Sequence, residues 1–549
     1  MQLIERIKNC LSVHADVAWV DSPSPLLASC EGLQRHRVLV VTVSLIPIDD
    51  GMASYLVDIP ALLQLANQLA DTAERFTIHP ISTGRNWGYG SALAPDEHAV
   101  ILNLGQLQQI HFDDVDAGLV TVGPGVTQQM LRDAIDKLGL TFMVPVTGAG
   151  PSCSILANAL ERGYGITPYT DHFAAVNAIK GFLPEGQRYQ SSLSELDQSG
   201  TDAVDKTFKW KVGPYLDGLF TQSALAIATE MTIRLKKLPA AFDSFYLQFN
   251  DDSDLEVAAA CVQQILLKLE GIVGSVNLMD RRRVLSMMIK NPNGAASHQI
   301  MTPEQINALA RQHQVPAWTA VGTIYGEPAV VAAAKKVVNQ LSAGKVKRRI
   351  YSESMLIKVA KLAMSVTPQH WFGGIKQMLR SLDNGVAIMK GTPNQVALPL
   401  AYWRNAKNQA DPTKTLHPAN DGCGLLWYAP LVKFQSAQLR TLVAHVREVC
   451  PQFHIEPMIT FTSLRHDTVD STIPIVFDLS NPKATQDAQA CLDLLVKKGL
   501  ELGLVPYRLN IMQQQTLLDK NTVFWNWANR IKVVTDPKQI LMQGRYSGH

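Results

Sequence analysis

Apolar positions along residues 58–140 recur with two alternating periods. In "DIPALLQLANQLADTAERF", Leu62, Leu65, Ala66, Leu69 and Ala73 share one helical face, with Pro60 near the start. The spacing predicts an amphipathic helix that leads into the extended run "FTIHPI". "AVILNL" (99–104) and "GLVTVGPG" (118–125) read as strands, and "VTQQMLRDAIDKLGL" as a helix with Thr127 as N-cap and Gly139 at its C-terminal end. Elements in this order predict an α+β or α/β sheet domain.

The pattern changes after "EMTIRLKKLP" (230–239), where a strand-like run ends in lysines and proline. "SDLEVAAACVQQILLKLEG" (253–271) then opens with a capping box, Ser253 and Glu256, and stops at a glycine. Helical "PEQINALARQHQ", strand-like "AVGTIYG", helical "PAVVAAAKKVVNQLSAG" and, far downstream, strand-like "IPIVFDLS" predict a second α+β unit reaching residue 499. No internal repeat or low-complexity tract is evident.

Composition narrows the function classes. With 549 residues, 46% hydrophobic and 18% charged, the chain has enough apolar surface for two or three domains. Fifty basic and forty-eight acidic side chains give a net charge of +2, without the arginine stripe or lysine tail of a nucleic-acid footprint. Seven cysteines (10, 30, 153, 261, 423, 450 and 491) form no CxxC pair, which favours reduced thiols in a cytoplasm over disulfides or a zinc site, so no metal is expected. "MQLIERIKNC" carries acid and base where a signal peptide needs an apolar run, and "VLVVTVSLIPI" (38–48) is too short to span a bilayer. The expectation is a cytoplasmic protein with neither a membrane nor a nucleic-acid partner.

"STGRNWGYG" (82–90) is the first candidate for chemistry: three glycines, an Arg and an Asn follow a strand. Glycine permits positive φ and close approach, so such a loop can converge backbone N–H groups on an anion such as a pyrophosphate. The spacing is neither GxxxxGK[ST] nor a strict GxGxxG, and on these residues alone a ligand-free tight turn is an equal reading.

Three more stretches occur in a fixed order with this loop: "NALERGYGITPYTDHF" (158–173), "VGPYLDGLFTQSALAIATEMTIRL" (212–235) and "PYRLN" (506–510). Together they resemble the vanillyl-alcohol oxidase and p-cresol methylhydroxylase family of flavoproteins. The resemblance is dense over 80–240, thins in the middle, and returns at "GLLWYAPLV" (424–432), "TFT" (460–462) and "DPKQILMQG" (536–544). It implies an α+β fold: a two-part FAD-binding domain of the vanillyl-alcohol oxidase type, residues 1–240 and 500–549, with an antiparallel-sheet cap, 241–499. It also implies that Thr83, Gly84, Arg85, Asn86 and Gly88 wrap the FAD pyrophosphate. Ser152, Asn158, Glu161 and Gly163 would continue along the cofactor, and Ile227 would line its adenine end.

By the same resemblance Tyr89, Tyr507 and Arg508 match phenol-binding positions, although a Tyr-Arg pair can equally pack at a domain junction. Their chemistry is coherent. Holding a phenol of pKa about 10 as its anion at pH 7 costs about 4 kcal/mol, which two or three charge-assisted hydrogen bonds of about 1.5–3 kcal/mol offset. A phenolate oxygen then pushes electrons toward loss of hydride from the para benzylic carbon. Trp427 matches an aromatic wall position beside Tyr428, though buried aromatics as often fill cores. His172 is read as structural.

Two departures from the family matter. Leu425 stands where covalent members carry a histidine on the flavin, and Asn86 where bicovalent relatives carry another, so FAD is expected to be held without a covalent bond. Cys153 is the one cysteine near the expected flavin path and is read as a buried thiol. The acid expected near flavin N5 is missing from "VPVTGAGPSCSI" (144–155), and the position of a substitute Glu in the cap falls on Thr460. His466, Asp467 or another cap residue would have to act as base, unless the substrate needs none. The resulting expectation is an FAD-dependent oxidase or dehydrogenase acting on a 4-alkylphenol-like substrate. Oxygen or an electron-transfer protein would be the acceptor, and the chain would form a homodimer. A biosynthetic enzyme on a larger heteroaromatic metabolite and a non-catalytic FAD-binding scaffold remain alternatives.

Overall fold

The computed structural model describes residues 3–33, 35–47, 54–85, 87–94, 96–165, 170–355, 357, 382–518, 522–542 and 544–546. "FTIHPI" forms the strand Thr77–Ile81, and "AVILNL" forms its parallel neighbour Ala99–Asn103. Strand order in this sheet is Asp16–Asp21, Arg37–Thr42, Ala99–Asn103, Thr77–Ile81. The predicted helix is shorter than its pattern, Asp58–Leu69, and buries Ile59, Leu62, Leu63, Ala66 and Leu69, leaving Ala73 exposed beyond its end. The C-terminal segment returns to this sheet: the Ile78 N–H donates to Ile540 O at 2.7 Å and the Met542 N–H to Ile78 O at 3.0 Å.

A second sheet of five antiparallel strands runs Arg188–Tyr189, Val176–Phe182, Ile227–Arg234, Leu119–Val122, Ile110–Asp114. The helix Gln128–Lys137 packs beside it, capped as its sequence predicts by the Thr127 side chain, which accepts from Met130 N.

The third sheet has nine strands, all antiparallel, beginning at Ala241–Phe249. Its two faces differ in kind. Phe245, Leu247, Ala320, Leu278, Phe461 and Ile473 form one face, fully buried under the helices Leu255–Lys268, Pro328–Ser342, Ser436–Val449 and Pro482–Glu501. Cross-strand pairing puts Tyr246, Val321, Asn277, Met279, Thr462 and Thr472 on the other face, and each of these is only half-buried.

One reading needs adjustment. The cap box that starts Leu255–Lys268 is made by Asp251 and Asp254, because the chain makes a 3-10 turn at Asp252–Asp254 before the helix proper. The helix Pro482–Glu501 runs through Gly499, which gives the Tyr428 hydroxyl a close approach: a Cβ there would stand 2.1 Å from it.

Candidate active site and cofactor cleft

A cleft opens between the first two sheets. Its walls come from Pro80–Arg85 at the end of the Thr77–Ile81 strand, from Cys153–Glu161 around the helix Ile155–Leu160, from Phe220–Ala228, and from Met542 and Arg545. Among the sequence candidates, Thr83, Gly84, Arg85, Asn158 and Glu161 line it. Ile227 does not: its side chain is 1% exposed in the core beneath the first sheet, and its neighbours Ala226 and Ala228 face the cleft. Ser152 and Gly163 flank the lining stretch without being part of it, and Asn86 lies outside the described residues.

The glycine loop has two halves with different partners. In the first, among the described residues, the backbone N–H groups of Thr83, Gly84 and Arg85 have no protein acceptor, and the buried Thr83 hydroxyl has no partner. In the second, the N–H groups of Gly88 and Gly90 both donate to Glu31 Oε1, at 2.8 and 2.9 Å, while Ser29 Oγ donates to Oε2 at 2.6 Å. Gly88 has φ +85°, and a Cβ there would stand 2.4 Å from Trp427 Cδ1. Its bareness serves the Trp427 ring, whose Nε1 donates to Trp87 O at 2.9 Å.

The first half fits the pyrophosphate of a dinucleotide. Unsatisfied backbone donors, a hydroxyl without a partner and the Arg85 guanidinium are the groups a diphosphate needs, and they are costly to bury otherwise. Cys153 also lines the cleft, but burial pushes its thiol up to about 11, which keeps it protonated.

Beyond the cleft, Glu31 places Tyr89 between its two bound amides. The Arg508 guanidinium lies 4.2 Å from the Tyr89 ring centroid. Arg508 Nη2 is 3.0 Å from Glu161 Oε2, and Glu161 also pairs with Arg545. Glu161 therefore ties two buried guanidiniums together at the end of the cleft. Tyr507 lies near Tyr89, close enough for each hydroxyl to shift the other's titration, and meets Tyr164 edge-on with ring centroids 5.0 Å apart. Burial raises the Tyr89 and Tyr507 hydroxyls well above the usual phenol range, with Asp470 adding to the rise and Arg508 opposing it. Both therefore remain protonated donors. The structure thus brings Tyr89, Tyr507 and Arg508 together from opposite ends of the chain.

Thr460 is 7% exposed, its hydroxyl unpartnered, on the half-buried face of the nine-stranded sheet. His466 and Asp467 lie on the turn after it, where Asp467 is bound to Arg465 at 2.6 Å. The acid that does reach the tyrosines is Asp470, two residues into the next strand and cross-strand from Thr462. A lone Asp among "TVDSTIPIVF" was the available signal, since a charge inside a β-branched run needs a reason. Glu31 had no such signal, because a distant loop supplies its partners. His172 is buried with Nδ1 2.5 Å from Asn158 Nδ2, and burial lowers it to about 4, so it is neutral and structural. Leu425 is 3% exposed beside Gly88. Outside the cleft lining, ligand atoms of His298, His454 and Asp487 lie within 4.8 Å of one another, with Asp487 already bound to Lys483 and His298. Among the described residues no helix is long and apolar enough to cross a membrane.

Comparison with known proteins agrees with this geometry. Residues 58–191 match the FAD binding domain family. Over 472 residues, 85% of each chain, the protein is 28% identical to 1'-carboxy-chondrochloren decarboxylase of Chondromyces crocatus. It is 25% identical to the 4-cresol dehydrogenase [hydroxylating] flavoprotein subunit of Pseudomonas putida over 492 residues, 86% of this chain and 83% of that one. The crystal structure of p-cresol methylhydroxylase with substrate bound superimposes with a TM-score of 0.82 at 22% identity, covering 99% of this chain and 96% of the other. The flavoprotein resemblance, the fold class, the FAD cofactor and the expectation of an FAD-dependent oxidoreductase are borne out.

Proposed function

From an FAD-binding domain within the fold of p-cresol methylhydroxylase, we propose an enzyme that removes a hydride from the benzylic carbon attached para to a phenolic hydroxyl. The observation that carries this reading is the convergence of Tyr89, Tyr507 and Arg508 on one buried spot. Thr83, Gly84, Arg85 and Asn158 would hold FAD, which when bound supplies a two-electron, hydride-accepting oxidant. Residues 1–240 and 500–549 would form the cofactor domain and 241–499 the cap.

The chain's own residues prepare the substrate. Tyr89 and Tyr507 donate to the phenolic oxygen and Arg508 supplies positive charge, an arrangement that favours the anion in a site closed to water. Trp427, fixed by Trp87 O and seated on Gly88, would wall the substrate ring. Thr460 would offer its unpartnered hydroxyl from the cap sheet. With leucine at 425, the cofactor would be held by these contacts alone, and acid precipitation should leave FAD in the supernatant. A homodimer in a cytoplasm, passing electrons to oxygen or to a second protein, completes the reading.

A second reading rests on the absence of any acid in residues 144–155. A substrate with a carboxylate on the carbon next to the benzylic one needs no base. Once hydride has left, the carboxylate departs as carbon dioxide and its bonding pair forms the side-chain double bond. The similarity to a decarboxylase favours this variant. Anaerobic addition of 4-alkylphenols, with and without a side-chain carboxylate, separates the two readings: both sets bleach the flavin, and under the second reading the carboxylated set also releases carbon dioxide. If Tyr507→Phe and Arg508→Ala reduce as fast as the parent, the phenolate site is wrong even where FAD stays bound.

A further inference from the structure

We propose that Asp470 is a catalytic residue: its carboxylate takes the phenolic proton as the substrate binds, so that the ring ionises inside the closed site without passing a proton to solvent. The proposal rests on the phenolate reading above and deepens it.

The argument begins with how buried acids are held in this protein. Among the described residues ten acidic side chains are buried. Nine have hydrogen-bond or ion-pair partners, as Asp243 does with Lys335, Ser352 Oγ and the Glu353 N–H, and Asp280 with the N–H groups of Ile459 and Arg283. Asp470 is the exception. It is 6% exposed, and among the described residues it has neither a donor nor a cation, with Oδ1 fully enclosed and unsatisfied. Leaving a carboxylate in this state is unfavourable by several kcal/mol in general, and an exception of this kind marks a functional position.

Its placement gives the function. Asp470 pairs across the sheet with Thr462 and Leu431, on the face that the helices do not cover. The titratable groups that sense its charge come from three other segments: Tyr89 in the glycine loop, Tyr164 after the helix Ile155–Leu160, and Tyr507 after the strand Val505–Pro506. The tyrosines are held protonated, Tyr164 at about 12, so none of them can accept a proton near neutrality. Arg508 is engaged with Glu161 and the Tyr89 ring. Burial alone pushes the Asp470 carboxyl up to about 7, which makes it a base matched to neutral pH.

The step balances. The phenolic O–H bond breaks with its electron pair left on oxygen, and the proton forms an O–H bond to Asp470, with no change in oxidation state. Charge also favours the transfer. An ionised Asp470 would oppose a phenolate in the same enclosure, whereas a protonated one does not, so the pair shares one negative charge before and after. Thr460, where the resemblance put a substitute acid, lacks a group that accepts a proton at neutral pH.

The test counts protons. The FAD-loaded protein is mixed anaerobically with 4-methylphenol in weak buffer carrying a pH indicator, while ultraviolet difference absorbance reports ring ionisation. At pH 8 the expected result is ionised ring and nearly zero protons released per phenol bound, rising toward one at pH 5.5, where Asp470 is already protonated. Asp470→Asn should bind un-ionised phenol or release one proton at both pH values, with reduction slowed about 10²–10⁴-fold. Asp470→Glu should restore the low release at pH 8. One proton released by the unaltered protein at pH 8 overturns the role of Asp470 while leaving the phenolate site intact. An un-ionised ring in the unaltered protein overturns the phenolate reading and this proposal together. The unaltered protein alone decides between these outcomes, even if a variant does not fold.

Discussion

Glu31 and Asp470 are both buried carboxylates within reach of Tyr89, and their surroundings are opposite. Glu31 accepts two backbone N–H bonds and a serine hydroxyl, so its burial fixes the loop that carries Tyr89. Asp470 has no such partners on a sheet face that is otherwise half-buried. Desolvation raises both carboxyls, but for Glu31 hydrogen bonds counter it, and for Asp470 nothing does. The difference separates an acid used as scaffold from an acid left free to exchange a proton.

The largest effect that would sharpen this contrast is on stability against pH. Asp470 titrates near 7 when folded and about 3.9 when unfolded, so the folded state binds the extra proton in between. Its stabilising contribution is complete below about pH 4 and lost as pH rises through about 7, a fall of roughly 4 kcal/mol. Urea unfolding of the FAD-saturated protein at pH 5 and pH 8 should show this slope, and Asp470→Asn should flatten it. Next in size is Glu31→Ala, which strands two buried N–H groups. It should cost roughly 3 kcal/mol by the same assay at fixed pH, while Glu31→Gln, keeping an acceptor at Oε1, costs less than about 1 kcal/mol. An equal loss in both Glu31 variants would break the comparison, because charge and not hydrogen bonding would then be responsible.

The polyphony of the loop was only partly legible in sequence. "STGRNWGYG" announced a bare backbone, yet not that its amides divide between an open cleft and Glu31, whose segment lies more than fifty residues earlier. Helix and strand periods located most elements because one face of each meets a core: the strands Ala99–Asn103 and Trp318–Gly326 and the helix Pro328–Ser342 fall where their patterns put them. Local marks failed where the chain turned earlier than its pattern, as at Ser253 and Glu256, whose capping role falls to Asp251 and Asp254. Tyr507 and Arg508 came from resemblance, since nothing in a Tyr-Arg pair shows that residue 89 lies opposite. Asp470 was missed because the nearby Asp467, on a turn, drew the attention that a buried strand position warranted.

Smaller effects test the neighbours of the two acids. Tyr507→Phe removes one donor to the phenolic oxygen and should slow anaerobic reduction about 10–100-fold, with little change in unfolding. Trp427→Phe removes the bond to Trp87 O, worth about 1 kcal/mol, and should loosen substrate binding more than it slows reduction.

The charge state of a bound phenol tests the account most directly. Ultraviolet difference spectra of the FAD-loaded protein with 4-methylphenol at pH 7 should show an ionised ring about three units below its pKa in water, and Arg508→Ala should show the neutral one. A neutral ring in the unaltered protein, or the same ionised spectrum without Arg508, would contradict it.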